Sequence, residues 1–294
     1  MQLIDGKLVA QKIRQDIAAE VQKMNQHGLK PPHLAAVLVG NDGGSQSYVE
    51  NKVKACKEVG FHSTLIHLDE KISEEELLNH VHALNENKDI DGFIVQLPLP
   101  KHIESQRILL EIDPAKDVDG FHPANMGKMV LGLPCFISAT PLGILKLFEY
   151  YKIETKGKRV AVIGRSHIVG RPISILLSSN TSSGNATVTL CHSHTHDLKE
   201  ITRNADIIVA AIGKPESISA DMVSEGAVVI DVGTTRVTAP EKKSGYVLKG
   251  DVHFESVAPK CSYITPVPGG VGPMTVTALL LNTLQAARQR HLSQ

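Results

Sequence analysis

The sequence has no excess of either charge and no cysteines at paired short spacings. Lysine plus arginine (31) balances aspartate plus glutamate (31), so no field of one sign would attract nucleic acid or an anionic membrane. A small molecule is therefore the favoured partner. The four cysteines, Cys56, Cys135, Cys191 and Cys261, are scattered, which argues against a disulfide framework or a zinc site and fits reduced cytosolic thiols.

Long apolar segments are also missing. The first residues, Met1 to Lys7, do not form the basic start and apolar core of a secretion signal. No apolar run approaches the roughly 18 residues of a membrane span, so we expect a cytoplasmic protein without membrane attachment. A chain of 294 residues with 42% hydrophobic content is long enough for two domains with separate cores, and a cleft between them is expected.

The first half of the chain alternates helix and strand patterns. Apolar residues recur at helical spacing from Lys7 to Met24, a second helix is expected from about Ser45 to Val59, and a Ser73 to Glu76 capping box opens a third. Short apolar runs predict strands at Leu34 to Val39, Thr64 to Leu68 and Gly92 to Leu97. This alternation is typical of an α/β fold with a parallel sheet covered by helices on both faces.

The alternation restarts after a polar, irregular stretch from Asp113 to Ala139. A helix follows Pro141, and a long helix from Thr275 to about Arg290 is expected to pack back on the first domain. Strands are predicted at Arg159 to Ile163, Thr187 to Leu190, Ile207 to Ala211 and Val228 to Asp231. We predict an N-terminal α/β domain of residues 1–138, completed by residues 270–294, and a Rossmann-like NAD(P)-binding domain of residues 139–269.

The first strand of the second domain ends in a glycine turn. Gly164-Arg165-Ser166 follows the strand, and Gly170-Arg171-Pro172 then opens a helix with proline in its first turn. Such a turn directs backbone N–H groups and the positive end of the helix toward a pyrophosphate. Because the spacing departs from Gly-x-Gly-x-x-Gly, the alternative is a plain tight turn between strand and helix.

The end of the next strand bears on which dinucleotide is bound. An NAD site usually has Asp or Glu there to bind the ribose 2′-hydroxyl, whereas this chain has Cys191-His192-Ser193-His194. With Arg165 after the glycine, a 2′-phosphate would be attracted, which favours NADP over NAD. The alternative for Arg165 is a solvated surface charge.

Three histidines follow the same strand. His192, His194 and His196 alternate, so on a strand they would share one face as metal ligands. No fourth ligand is evident. We therefore expect no metal site and place these histidines at the rim of the cofactor site.

Three residues of the helix near position 50 share one face. Ser45, Tyr48 and Lys52 are spaced i, i+3 and i+7. Gln96 ends a buried strand, where open α/β sheets place ligand-binding groups. The alternatives are a lysine on the wet face of an amphipathic helix and a glutamine that caps a strand end.

Two irregular segments, residues 116–123 and 265–275, are marked by proline and glycine. Their exposed backbone could hydrogen-bond a flat polar heterocycle, or they could form an interdomain hinge, and the two roles are compatible.

In combination, these stretches resemble the FolD family, the bifunctional methylenetetrahydrofolate dehydrogenase and methenyltetrahydrofolate cyclohydrolase. The matching segments, which occur in the same order and span nearly the whole chain, are 45–52, 95–100, 117–120, 164–172 and 266–275. The resemblance implies that the chain oxidises 5,10-methylenetetrahydrofolate with NADP and hydrolyses the methenyl product to 10-formyltetrahydrofolate. It also implies a homodimer formed through the second domain.

The resemblance implies a role for each candidate residue. Lys52 matches the catalytic lysine, Tyr48 its stacking and hydrogen-bonding neighbour, and Gln96 its polar partner. The other implied folate-binding residues are Asp119, which binds the pterin, Ser45, Pro268, Gly269 and Gly270. The implied NADP contacts are Gly164, Arg165, Ser166, Gly170, Ser193 and Thr234, with Arg165 and Ser193 flanking the 2′-phosphate.

In the implied hydrolysis, Lys52 is the candidate acid/base. A cationic substrate and partial desolvation both disfavour a second positive charge on its amine, which suits it to proton transfer. Tyr48 and Gln96 would position it.

Three positions depart from the family pattern. Thr234-Thr235 replaces the usual Ile-Asn, Ser138-Ala139 replaces Pro-Cys, and the loop before Asn185 is longer. Two alternatives remain. A shikimate-type NADP dehydrogenase would lack segment 268–273 and the Tyr48 to Lys52 spacing, and a non-catalytic dinucleotide-binding scaffold is opposed by the intact candidate catalytic residues.

Overall fold

The computed structural model describes residues 1–242 and 245–292 of the chain. They form two compact units. The N-terminal unit contains Gln11–Ala139 and the chain from Val276, and the central unit contains Met1–Ala10 and Thr140–Thr275. These boundaries differ from the predicted domains at both ends of the chain. Residues 293 and 294 of the predicted C-terminal segment lie outside the described residues.

The helices and strands are numbered in chain order. They are β1 (Gln2–Leu3), α1 (Gly6–Gln26), β2 (His33–Val39), α2 (Gly43–Glu58), β3 (His62–Leu68), α3 (Glu74–Glu86), β4 (Gly92–Val95), α4 (Ser105–Leu110), α5 (Pro123–Val130), α6 (Ala139–Tyr151), β5 (Arg159–Ile163), α7 (Gly170–Ser178), β6 (Thr187–Cys191), α8 (Leu198–Arg203), β7 (Ile207–Ala210), β8 (Val228–Asp231), β9 (Thr235–Thr238), β10 (Tyr246–Lys249), α9 (Phe254–Val257), β11 (Tyr263–Ile264) and α10 (Val271–Leu292). Two 3₁₀ helices lie at Ala220–Met222 and Ala258–Lys260.

The N-terminal unit is built on a three-stranded parallel sheet in the order β3-β2-β4. Alternate side chains of β2 point to opposite faces. Leu34 and Leu38 pack in one core with residues of α1, α2 and α10, whereas Val37 packs in the other with residues of α3 and α4. Burial on both faces explains why β2 is a continuous apolar run. Leu280 and Leu284 of α10 lie in the first core, as expected for the last helix.

The predicted capping box at the start of α3 is confirmed. Ser73 Oγ accepts a hydrogen bond from Glu76 N, and Ser73 N donates to Glu76 Oε2. Two backbone N–H groups at the start of the helix are satisfied in this way.

The central unit contains a six-stranded parallel sheet in the order β1-β11-β8-β7-β5-β6. Residues of β5, β7 and β8 alternate into a core that includes Ile163, Ile208 and Val229. Parallel pairing of β1 with β11 explains why the first residues of the chain belong to this unit. An antiparallel hairpin, β9 with β10, follows β8. Among the described residues, no helix has the length and apolar character needed to cross a membrane.

Candidate functional site

Helix α2 carries three of the predicted site residues. Asp42 caps the helix and accepts hydrogen bonds from the backbone N and the hydroxyl of Ser45, at 2.8 and 2.9 Å. Ser45 is buried, and its hydroxyl therefore serves the start of the helix. Tyr48, one turn before Lys52, is 53% exposed, so its ring is accessible to a ligand. Lys52 is half-buried.

The side chain of Lys52 in α2 is hydrogen-bonded to that of Gln96, which follows β4. Lys52 Nζ donates a hydrogen bond of 3.1 Å to Gln96 Oε1. Gln96 follows β4 directly, and its backbone N donates to Val37 O of β2. Its side-chain amide also donates to Leu97 O at 2.6 Å, which orients the carbonyl oxygen toward the lysine. The predicted pairing of these two residues is thus seen in the structure, at the carboxyl end of a buried strand.

Asp119 completes this cluster. Burial raises the pKa of Asp119, and the positive charge of Lys52 opposes that shift. Asp119 is half-buried, and a partly desolvated carboxylate favours ligands that donate hydrogen bonds to it. The N-terminal unit therefore brings together an ammonium group, an amide and a carboxylate.

The turn that presents Asp119 is shaped by a second, buried carboxylate. Asp117 accepts hydrogen bonds from Phe121 N at 3.2 Å, His122 N at 2.8 Å and Asn125 Nδ2 at 2.9 Å. Burial raises the pKa of Asp117, and these hydrogen bonds oppose the shift. Sequence reasoning missed this role of Asp117 and Asn125, because polar side chains are common in an irregular polar stretch and nothing local marks these two as buried.

Gly120 and Asn282 hold the same turn from outside. Gly120 has φ +70°, and a Cβ there would lie 2.7 Å from Ser138 N, so only glycine fits. Asn282 of α10 is buried and donates to Val118 O and Ile137 O, each at 2.8 Å. The position of Asp119 therefore depends on contacts from distant parts of the chain.

The central unit forms a glycine turn between β5 and α7. Gly164 has φ +115°, and a Cβ on it would lie 2.1 Å from Ala211 O. A Cβ on Gly170 would lie 1.8 Å from Gly164 O. Both positions therefore require glycine, and they bring the start of α7 close to the end of β5. This arrangement fits the pyrophosphate of a dinucleotide, because the start of α7 carries the positive end of the helix dipole and lies beside a glycine turn whose backbone a ligand can approach closely.

The polar side chains around this turn are exposed. Arg165, Ser166 and Ser193 are all accessible to solvent, and Ser166 Oγ accepts hydrogen bonds from Val169 N and Gly170 N at 3.2 and 3.3 Å. Ser166 therefore closes the turn in addition to any contact with a ligand.

Arg165 lies near the residues that follow β6. Partial burial and the positive charges of Arg165 and His194 lower the pKa of His192. Arg165 therefore carries a permanent positive charge close to the end of β6, and this charge attracts a phosphate dianion. This environment fits the 2′-phosphate of NADP.

The histidines do not lie on a strand. β6 ends at Cys191, so the alternative in which His192, His194 and His196 would share a strand face does not apply. His192 Nδ1 accepts a hydrogen bond from His194 N at 3.2 Å within a turn. In the part of the chain that the structure describes, no group of three His, Cys, Asp or Glu side chains could hold a metal ion.

The remaining predicted residues lie in loops of the central unit. Thr234 is exposed, between β8 and β9. Pro268 is exposed and follows a cis peptide bond from Val267. Gly269 O accepts a hydrogen bond from Lys7 N, and Gly270 N donates to Pro266 O at 2.9 Å. These hydrogen bonds fold segment 266–270 into an ordered turn ahead of α10.

Comparisons with known proteins cover both halves of the chain. Residues 4–119 match the profile of the tetrahydrofolate dehydrogenase/cyclohydrolase catalytic domain, and residues 138–291 match that of the NAD(P)-binding domain of the same family. The chain is 61% identical to the bifunctional protein FolD of Flavobacterium johnsoniae over 99% of this chain and 98% of that protein.

Solved structures are also similar to this chain over nearly its whole length. The bifunctional FolD enzyme of Campylobacter jejuni is 46% identical with a TM-score of 0.93, and the alignment covers 99% of each chain. The Trypanosoma brucei FolD, solved with NADP cofactor and an inhibitor, is 38% identical with a TM-score of 0.92, over 98% of this chain and 97% of that chain.

A shikimate dehydrogenase, the enzyme type considered as an alternative, is similar to this chain in fold alone. The shikimate dehydrogenase of Aquifex aeolicus has a TM-score of 0.51 at 15% identity, over 88% of this chain and 97% of that chain. The resemblance inferred from the motifs is confirmed, and the chain belongs to the tetrahydrofolate dehydrogenase/cyclohydrolase family.

Proposed function

We propose that this chain oxidises 5,10-methylenetetrahydrofolate to the 5,10-methenyl compound with NADP and then hydrolyses that compound to 10-formyltetrahydrofolate. Membership of the family supports both activities. The single observation that carries the assignment is the 3.1 Å hydrogen bond from Lys52 Nζ to Gln96 Oε1. It holds the ammonium group of Lys52 at the carboxyl end of β4, in the unit that also carries Asp119.

Lys52 is the proposed acid/base of the hydrolysis. Water adds to the methenyl carbon and loses a proton to give a neutral carbinol. The carbinol O–H then loses its proton to form the formyl group as the bond to the ring nitrogen breaks and that nitrogen gains a proton, so one proton is released overall and both steps need a proton carrier. Gln96 holds the amine in one place through its oxygen, and Tyr48 offers an exposed ring and hydroxyl beside it. Asp119 is the proposed acceptor for the N–H donors of the pterin, since its half-buried carboxylate lies near Lys52 and favours ligands that donate hydrogen bonds.

The glycine turn of the central unit is the proposed dinucleotide site. Bound NADP supplies the acceptor for the hydride that leaves the methylene bridge. The start of α7 binds the pyrophosphate, with Gly164, Ser166 and Gly170 forming the turn. Arg165 and Ser193 bind the 2′-phosphate, and Thr234 and the turn at 268–270 contribute further contacts. We propose NADP over NAD because Arg165 lies near the residues that follow β6, where NAD sites usually carry a carboxylate.

Two further properties are proposed from the family resemblance. We expect a homodimer formed through the central unit, which the mass of the purified protein in solution will test. We also expect the protein to act in the cytoplasm on free folates.

A spectrophotometric assay tests the function. Purified protein is incubated with methylenetetrahydrofolate and either NADP or NAD, and the methenyl compound is supplied separately without dinucleotide. We expect oxidation with preference for NADP, and hydrolysis of the methenyl compound in the absence of NADP. A preparation that performs neither reaction contradicts the proposal.

A pair of lysine variants of α2 tests the role of Lys52. Lys52→Ala should lower the rate of methenyl hydrolysis by about 10² or more, because the proton carrier is lost, while NADP binding is retained. Lys54→Ala, which removes an exposed lysine of the same helix, is the matched control and should hydrolyse at the wild-type rate. Undiminished hydrolysis by Lys52→Ala would show that the proton carrier is another group.

A further inference from the structure

Two buried aspartates, neither of which has been assigned a role above, lie next to each other in the central unit. Asp231 is 3% exposed and Asp251 is 0% exposed. Asp231 ends β8, and Asp251 follows β10 by two residues. An aspartate buried to this extent is uncommon unless hydrogen bonds satisfy its oxygens.

Asp251 binds the backbone of a loop that follows β7. Its Oδ2 accepts from Ile212 N at 2.6 Å and Gly213 N at 3.1 Å, and its Oδ1 accepts from Lys214 N at 2.8 Å. Three consecutive N–H groups therefore converge on one carboxylate. Gly213 has φ +73°, the left-handed conformation that this convergence requires and that other residues adopt at a cost.

Asp231 connects Asp251 to a second loop. Its Oδ1 accepts from Gly233 N at 3.0 Å and Asp251 N at 2.9 Å, and its Oδ2 accepts from Val252 N at 2.9 Å. A Cβ on Gly233 would lie 2.4 Å from Asp251 Oδ1. The loops after β7 and β8 are thus connected through the carboxylates of Asp251 and Asp231, and there is no space for a side chain at Gly233 between them.

Both loops lie at the carboxyl ends of strands in a parallel sheet, where open α/β folds bind their ligands. The loop after β7 begins at Ala211, whose carbonyl lies against Gly164 of the dinucleotide turn. Ile212, Gly213 and Lys214 are exposed, although the carboxylate that holds their backbone is buried. The second loop contains Thr234, a proposed cofactor contact.

The geometry points to Asp251 as a positioning residue for the dinucleotide, which holds the loop at 212–214 in the conformation that receives NADP. This inference rests on the proposed function. Asp251 itself has no exposed atom with which to touch the cofactor, so it acts only through the loop backbone. The substrate residues Lys52, Gln96 and Asp119 belong to the other unit, so hydrolysis, which needs no dinucleotide, should not depend on Asp251.

Asp251→Asn tests the inference with almost no change in volume. The side-chain amide faces backbone N–H donors with a donor of its own, so at least one hydrogen bond is lost and the loop is released. We expect the KM for NADP and the Kd for NADPH, measured by fluorescence titration, to rise about tenfold. The rate of methenyl hydrolysis without dinucleotide should stay within about twofold of the wild type.

Thr155→Val is the control for a general loss of stability. Thr155 is buried in the same unit and donates to Gly184 O at 2.8 Å, far along the chain from both loops. It should lower the melting temperature while leaving the Kd for NADPH unchanged. If Asp251→Asn also lowers the melting temperature but leaves the Kd for NADPH unchanged, the role of Asp251 is structural and the inference fails.

A second pair of variants keeps the test decisive if Asp251→Asn does not fold. Gly213→Ala and Gly226→Ala both replace an exposed glycine with φ near +75° (+73° and +79°) and open space around it, so both carry similar strain. Only the first lies in the loop that Asp251 holds. We expect Gly213→Ala to raise the Kd for NADPH about threefold or more and Gly226→Ala to leave it unchanged.

Equal affinities in this glycine pair would overturn the inference. A wild-type protein that performs neither reaction with folates would instead refute the proposed function, and NADPH binding by the same variants would still test the role of the loop.

Discussion

Removal of the Asn282 amide should destabilise the N-terminal unit by an amount that can be worked out from its contacts. The side chain is buried and donates to Val118 O and Ile137 O, each at 2.8 Å. Asn282→Ala loses both hydrogen bonds, at about 1 kcal/mol each, and leaves two buried carbonyls short of a donor, at about another 1 kcal/mol in total. The expected loss in the free energy of unfolding is therefore about 3 kcal/mol.

Urea denaturation followed by far-UV circular dichroism measures this loss, because the chain has no tryptophan to report by fluorescence. The neighbouring Thr283→Val is the matched control. Thr283 is equally buried, but its hydroxyl donates to Leu279 O within the same helix, so the change should cost about 1 kcal/mol or less.

The same variant should affect the folate site. Val118 precedes Asp119, so Asn282→Ala frees the turn that presents this carboxylate and should raise the KM for the folate substrate several-fold, whereas Thr283→Val should not. A destabilisation no larger than that of Thr283→Val, together with an unchanged KM, would refute the reasoning that α10 holds this turn.

Three further predictions concern charge and capping. Arg165→Ala should raise the KM for NADP at least tenfold more than that for NAD, as two charge-assisted hydrogen bonds to a 2′-phosphate would require; equal effects in steady-state kinetics would contradict the 2′-phosphate role. Burial raises the pKa of Asp231 to about 6 from 3.8, so the folded state keeps this proton longer than the unfolded state. This carboxyl should therefore lower the stability by ~3 kcal/mol as pH rises from about 4 to 6, with no change above. Melting curves of Asp231→Asn should lack this contribution, and the same pH slope in both proteins would count against the assignment. Ser73→Ala should cost about 1 kcal/mol in urea denaturation because it removes the capping box of α3, and no loss would show that the cap is not needed.

The sequence predicted the regular elements that repeat a short pattern. The apolar run of β2 and the capping box of α3 each need only a few neighbouring residues to be recognised. By contrast, β1 is two residues long and exists because it pairs with β11, about 260 residues away. The hairpin of β9 and β10 and the short helices α4 and α5 were also missed, because their segments are polar and show no clear period.

The candidate site was likewise predicted from the sequence only in part. Lys52 and Gln96 were found from one helix face and one strand end, and the structure joins them at 3.1 Å. The arrangement of the three histidines could not be derived from their alternation, because β6 stops at Cys191 and a turn follows it. Periodicity alone does not give the residue at which a strand ends.

Two residues that sequence reasoning missed stabilise loops in the same way. Asp117 in the N-terminal unit and Asp251 in the central unit are buried carboxylates that accept backbone N–H groups and so fix a loop beside a strand end. Asp251 lies 37 to 39 residues from the loop that it holds, so no local pattern marks it.

Lys52 and Arg165 could be singled out from local sequence, one by its helix face and the other by its place after a strand-end glycine. The structural role of a buried aspartate, by contrast, cannot be recognised until its hydrogen-bond donors are known. Variants of a reacting residue and variants of a buried supporting aspartate should also differ in their kinetics. Loss of Lys52 removes a step of chemistry, whereas loss of Asp117 or Asp251 leaves every reacting group present and impairs the binding of one partner, the folate or the dinucleotide. Selective loss of one substrate's affinity is therefore the signature by which further residues of this supporting kind can be recognised.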